Sequence, residues 1–308
     1  MKKIAYIGAG PSALLGAQAL LNKGDYQISI YDKNNRSGGA AYTGIPSWRF
    51  SLAFIDRVEK ELKEKGTQFY YNVEVGKDIP FAKLREENDV VVVAIGAQIE
   101  NLAGFEAGNG YEAGLTLLYN LNILHQEKDY QEKYQSAIVW GGGNVAMDCC
   151  RSLKRILPDV QLLYRRSQDE IPASKGEVKD AVKEGVVFHY LENIADIVRD
   201  VKGSVTGVQA DTMVLGEKDE SGRASVHVQE GSKHFIPADL VVAAVGQKVD
   251  FSVLDEGLKT LSKSEHKTNL EGVFVCGDAL YGPAMIGNAI KDGKACSEEV
   301  FEYLSQGH

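Results

Sequence analysis

A glycine-rich turn between a short apolar run and a helix-like stretch occurs twice in this chain, as GAGPSA at Gly8–Ala13 and as GGGNVA at Gly141–Ala146. Glycines at this spacing permit a tight turn and a close backbone approach, and the helix that follows presents free N–H groups to a pyrophosphate. One such match is weak evidence. Two, preceded by IAYI and AIVW and followed by ALLGAQALLNKG and AMDCCRSLKRI, predict two dinucleotide-binding units. Twenty-four residues after Gly8 stands Asp32, closing QISIYD, and an acid there accepts hydrogen bonds from ribose hydroxyls. Twenty-four residues after Gly141 stands Arg165, followed by Arg166, and two guanidinium forks suit a ribose that carries an extra phosphate. Two different nucleotides on one chain imply electron transfer between them.

A second repeat supports the first. Asp89 leads into VVVVAIGA at Val90–Ala97, and Asp239 leads into LVVAAVGQ at Leu240–Gln247, which places Gly96 and Gly246 at the ends of two buried parallel strands. Helices are expected over Phe54–Gly66 and Glu177–Gly185, each closed by glycine. Antiparallel strands and polar turns such as EKDESGR are expected over Val198–Phe235. GVFVCGDA at Gly272–Ala279 reads as a further buried strand ahead of a helix, and it is expected to fold back on the first unit. The fold class expected is therefore α/β, with two doubly wound Rossmann-like domains. A first domain of residues 1–113 and 250–308 is interrupted by a second of residues 114–249.

With 34 basic against 43 acidic residues the formal net charge is −9, which argues against a nucleic-acid partner. No apolar run reaches the about 20 residues needed to span a bilayer, and glycines break the N-terminal apolar run too early for a signal peptide, so no membrane association is expected. Four cysteines without a CxxC pair suggest a reducing, cytoplasmic setting without disulfides, and six scattered histidines give no metal site.

The motifs GAGPSA, GGAAYTGIPSWRF at Gly38–Phe50, NVEVGKDI at Asn72–Ile79, GGGNVAMDCCRS at Gly141–Ser152, YRRSQDEIPASKGEVKDAVKEGV at Tyr164–Val186 and VFVCGDA cover nearly the whole chain. In that order they resemble the flavoproteins with two dinucleotide-binding domains, typified by the small chain of NADPH-dependent glutamate synthase. Longer members of that family carry an N-terminal iron–sulfur domain, whereas the first strand stands at the start of this sequence. The length is similar to that of thioredoxin reductases, whose architecture is expected here, but their redox CxxC is missing.

The resemblance implies FAD in the first domain and NADPH in the second. It assigns Gly8, Gly10, Pro11, Ser12 and Ala13 to the FAD pyrophosphate turn and Asp32 to its ribose. Gly38, Gly39, Gly44, Ile45, Pro46 and Gly96 follow near the flavin. Gly277 and Asp278 would meet the ribityl chain, and the helix opening near Met285 and Ile286 would face the negative charge of reduced flavin. For NADPH it assigns Gly141, Gly143, Asn144, Val145, Ala146 and Gly246, with Arg165 and Arg166 on the 2′-phosphate and Ser174 and Lys175 assisting. The activity implied is hydride transfer from NADPH to FAD and onward to an acceptor, which is a ferredoxin or flavodoxin, a partner subunit or a small molecule. A homodimer is also implied by family analogy. Two other readings stand beside it: a dithiol/disulfide reductase resembling thioredoxin reductase, and a nucleotide-responsive flavin-binding module without catalysis.

Overall fold

The computed structural model describes residues 1–218 and 222–307 and divides into two compact units. One comprises Met1–Thr43, Ser47–Ile99 and Gln247–His308; the other comprises Gly44–Pro46 and Glu100–Gly246.

The first unit is built on a parallel sheet in the order Val273–Val275, Val90–Val93, Lys2–Ile7, Tyr26–Asp32, Gln68–Tyr71. Its strands Val90–Val93 and Val273–Val275 read as unbroken apolar runs because both faces are covered. Val90 and Val92 pack with Ile4 and Tyr6 into one core, under the helices Pro11–Leu21, Ala53–Glu64 and Ile286–Ser305. Val91 and Val93 pack with Ala5 and Ile7 into the opposite one. Neighbouring residues of a strand point to opposite sides, so a strand feeding two cores must be apolar throughout.

The second unit repeats this plan in the order Tyr111–Ala113, Leu240–Ala243, Ser136–Trp140, Asp159–Tyr164, Val187–Tyr190, again parallel. One face carries the helices Gly114–Asn122, Asn144–Lys154 and Lys175–Lys183. The other is covered by an antiparallel layer of Glu192–Arg199, Val205–Lys218, Ala224–Val228 and His234–Pro237, whose Ile194, Val208 and Ile236 pack on Ile138 and Val241. Of the polar turn expected at EKDESGR, residues 219–221 lie outside the described residues.

The repeated aspartates have matching tasks. Asp89 accepts the Lys3 N–H at 2.7 Å, and Asp239 accepts the Ser136 N–H at 2.9 Å, so each ties the head of one central strand to the next. The two glycine-ended helices close alike as well. Thr67 N–H donates to Leu62 and Gly66 to Lys63; Val186 donates to Ala181 and Gly185 to Val182. Both are Schellman closures, with glycine at φ +89° and +90°.

One expected boundary is corrected. The strand Tyr111–Ala113 pairs with Leu240–Ala243 and lies in the second unit, so the division falls after Ile99 rather than after residue 113. The return falls at Gln247, three residues before residue 250. One edge strand of each sheet is thus distant in sequence from the strand it pairs with. Val273–Val275 joins the first sheet after the insertion, and Tyr111–Ala113 starts the second before its own glycine turn.

Candidate functional site

In the first unit the chain leaves Ile7, turns at Gly8 with φ +101°, and enters the helix Pro11–Leu21. Gly10 is the N-cap and makes no side-chain capping bond, while Pro11 occupies the first turn, where its missing N–H costs nothing. The opening N–H groups of this helix are therefore left for a ligand. Ala13 is fully buried, and its small side chain lets the helix lie close to the strand. Gly39 packs on the turn from the side, where a Cβ would stand 3.0 Å from the Gly10 Cα; Gly38 N–H donates to the Ala9 carbonyl at 2.9 Å. On its open side Gly10 has nothing nearer than 3.9 Å to a Cβ, so the turn is open there.

Asp32, only 6% exposed, sits under this turn. Its Oδ2 accepts the Ala9 N–H at 2.7 Å, and its Oδ1 accepts from the Asn34 backbone and side chain at 2.7 and 3.0 Å. Burial pushes the carboxyl above the usual range against these donors. The residue shapes the turn, and Oδ2 keeps an acceptor position free for a hydroxyl.

The second turn is assembled in the same way. Gly143 is an uncapped N-cap with nothing within 4 Å of a Cβ, Ala146 is fully buried, and Ala173 N–H donates to Gly142 at 3.0 Å as Gly38 does to Ala9. The Asn144 side chain accepts the Ser174 N–H at 3.1 Å, while the Ser174 hydroxyl caps the helix Lys175–Lys183 through the Glu177 N–H. Ser174 thus has a structural task, and Lys175 is exposed beside it. Gly96 and Gly246 follow their strands with φ +70° and +116° and open space where a Cβ would go.

Counting residues sets Arg165 in the place of Asp32, and the strand register corrects this. Gly8 N–H donates to Tyr31, but Gly141 N–H donates to Leu163, so Tyr164 occupies the position of Asp32. Its ring lies against Gly142, 2.5 Å from where a Cβ would be, and its hydroxyl donates to the Glu170 carbonyl at 2.8 Å. No carboxylate stands there. Arg165 and Arg166 follow one and two residues later. Arg165 is exposed, with no hydrogen bond or ion pair among the described residues, whereas Arg166 commits its Nε to the Ala224 carbonyl at 2.9 Å. Glu170, which could have paired with either, accepts the Ala224 N–H and the Ser167 hydroxyl instead.

The C-terminal part of the first unit adds Gly277, Asp278, Met285 and Ile286. The helix Ile286–Ser305 crosses Pro11–Leu21 where Gly16 faces Gly293, and a Cβ on Gly293 would fall 2.0 Å from the Ser12 carbonyl. Contact of backbone on backbone brings both helix N-termini to the carboxyl ends of the strands. Met285 is an uncapped, exposed N-cap, which leaves the opening N–H groups of the second helix free as well. Gly44, Ile45 and Pro46 group with the second unit.

Asp278 is pushed up to about 6 by burial, and the nearby Asp292 charge adds to the rise although the Ala284 N–H bonds the carboxylate. A raised carboxyl contributes stability that is complete below its ordinary value, near 4, and is lost as the pH climbs through 6. Cofactor-free Asp278→Asn protein should therefore melt higher than wild type at pH 8 and no higher at pH 4. A gain of equal size at both would show that burial of the charge is not the cause.

Sequence reasoning missed a second group in this unit. His266, 4% exposed, lies between Glu299 at 2.7 Å and Asp292 at 2.9 Å, and the other Asp292 oxygen accepts the Gly277 N–H at 2.5 Å. Asp292 and Glu299 stand seven apart on one helix, a spacing the sequence displays, but no local pattern points to His266 as their partner. The four cysteines are all buried, and no helix among the described residues is long and apolar enough to cross a membrane.

Residues 2–293 match the profile of the pyridine nucleotide-disulphide oxidoreductases. The chain is 36% identical over 318 residues to the NADP(+)-dependent formate dehydrogenase subunit beta of Moorella thermoacetica, covering 99% of this chain and 44% of that one. It is 32% identical to the glutamate synthase [NADPH] small chain of Azospirillum brasilense, covering 97% and 66%. The chain thus spans between about half and two thirds of these relatives. Mycobacterium tuberculosis FprA in complex with NADPH has the same fold, with a TM-score of 0.84 at 21% identity over 99% of this chain and 85% of that one. On the extent of the profile match and of the identity to these relatives, the chain belongs to the pyridine nucleotide-disulphide oxidoreductase family, whose members bind FAD and NAD(P)H.

Proposed function

We propose that this chain is the flavin-reducing unit of an NADPH-dependent oxidoreductase, holding FAD on its first unit and NADPH on its second. The observation that carries this reading is the pair of uncapped glycine turns with opposite chemistry beside them, a buried Asp32 at one and Tyr164 with an open Arg165 at the other. Bound together, the two cofactors supply a two-electron hydride transfer from the reduced nicotinamide to the oxidised flavin. The protein binds and orients. The N-terminus of Pro11–Leu21 would neutralise the FAD pyrophosphate, Asp32 Oδ2 would accept from its ribose, and Asp278 would accept from the ribityl chain. The N-terminus of Ile286–Ser305 would offer free N–H groups to the flavin edge on which negative charge gathers during reduction. In the second unit Asn144–Lys154 would receive the NADPH pyrophosphate, and Arg165 the 2′-phosphate.

Electrons would leave for an acceptor outside this chain. The relatives are named as subunits or chains of larger enzymes, which favours a partner subunit over a free small molecule. Thiol exchange is the weaker reading. The four cysteines are at most 2% exposed, and burial pushes the thiols of Cys149, Cys150 and Cys296 up, so a reactive thiolate is not at hand.

Anaerobic mixing of the FAD-loaded protein with NADPH tests the proposal. The yellow absorbance should bleach, and faster than with NADH; a flavin that stays oxidised would reduce the protein to a nucleotide-responsive binding module. In a second measurement, Asp32→Asn, which keeps an acceptor for Ala9 N–H but loses the charge, should bind FAD about tenfold more weakly, a change of about 1.4 kcal/mol. Unchanged affinity would remove Asp32 from the site.

A further inference from the structure

Resting on the assignment of FAD to the first unit, we propose that His266 and Asp292 are positioning residues for the flavin, acting through the Gly277–Asp278 turn rather than by contact. The His266 segment runs antiparallel to the strand Val273–Val275, with its carbonyl accepting the Val275 N–H at 2.8 Å, and it aims the imidazole beneath the helix Ile286–Ser305. Both ring nitrogens meet carboxylates on that helix, so the charged ring satisfies both and a neutral ring can donate to one alone. Asp292 is the hub. One oxygen is held by His266 and the other by the Gly277 N–H, immediately before the carboxyl assigned to the ribityl chain. Gly277 itself is wedged against Ser12 at the head of the first helix, where a Cβ would meet the serine hydroxyl at 2.6 Å. A loosened Asp292 therefore disturbs the turn that presents Asp278 and the ground on which the pyrophosphate helix begins. Without the imidazolium, an uncompensated carboxylate would also face Asp278 and raise its carboxyl further.

Among the described residues, the other titratable groups facing this cluster are Tyr281, which bonds Asp292, Cys296 beside Asp292 and Glu299, and Asp278. Burial alone would lower the histidine, but the bonds and charges of Asp292 and Glu299 outweigh it and raise it to about 9. A raised histidine stabilises the fold fully below its ordinary value and loses that contribution as the pH rises through 9.

The test is the dissociation constant of FAD from cofactor-stripped full-length protein, followed by flavin fluorescence from pH 7 to 10, with melting temperatures measured alongside. Wild type should bind evenly to pH 8 and weaken through pH 9. His266→Gln, uncharged but still hydrogen bonding, should bind at least tenfold more weakly at pH 7 and lose the alkaline step, which also separates histidine from ionisation of the flavin. Asp292→Asn serves where His266→Gln fails to fold, with the same two expectations. Variants that melt lower yet keep the affinity and the alkaline step would make the cluster a structural brace and overturn the proposal. Wild-type protein that takes up no FAD would instead overturn the function on which it rests.

Discussion

Gly8→Ala should destabilise the first unit by about 3–5 kcal/mol and leave protein that retains little FAD. Two costs add at this position. The backbone holds φ +101°, which an L side chain adopts only under strain, and the new methyl would stand 2.3 Å from the Ala94 carbonyl oxygen. That carbonyl cannot retreat, because the Ala94 N–H donates to Ile7 at 2.8 Å within the sheet. Gly141→Ala repeats the experiment on the second unit, with φ +141° and a methyl 2.2 Å from the Ala244 carbonyl, whose N–H donates to Trp140 at 2.8 Å. It should spare the yellow colour and abolish reduction by NADPH. Denaturant unfolding and flavin content, measured on both variants, check the pair. If both lose flavin equally, or neither loses stability, the division of labour between the turns is wrong.

Arg165→Ala should lower kcat/KM for NADPH about 100-fold, through KM, and that for NADH by less than about threefold. A bidentate guanidinium–phosphate contact at an open site contributes on the order of 2–3 kcal/mol, and NADH has no phosphate to lose it. Arg166→Ala should cost less, about tenfold, because its Nε is already committed to the Ala224 carbonyl and only the rest of the fork can turn outward. The ranking is the discriminating result. Equal losses for the two cofactors would mean that both arginines merely hold the strand end, and a larger loss at Arg166 would move the phosphate to the hairpin side.

The register shift between the two units explains why this ranking was not legible in the sequence. Counting 24 residues from each first glycine equates Asp32 with Arg165. The chain between turn and strand end packs one residue differently in the second unit, so Tyr164 takes the acid's place and covers Gly142, and Arg165 stands just beyond. Residue counting cannot see where a strand pairs. The turns themselves were legible, because a tight, close-packed strand-to-helix turn admits only glycine or alanine and leaves that requirement in the local sequence. Asp278 was legible only through family resemblance, and His266 was not legible at all. It reaches Asp292 across 26 positions and Glu299 across 33, and no periodicity encodes such a pairing.

The amino-acid order alone determined that the chain builds two glycine-turn α/β units, with an acid 24 residues after the first glycine in one and an arginine in the other. Backbone conformation and two-sided strand burial are local demands that each residue must meet where it stands. Only the tertiary structure decided that Tyr111–Ala113 belongs to the second sheet, that Tyr164 rather than an arginine faces its glycine turn, and that a buried histidine meets Asp292, whose other oxygen holds the Gly277 N–H. These outcomes depend on which distant segments pair and pack, a competition settled by burial and hydrogen bonding across the whole domain and recorded at no single position in the chain.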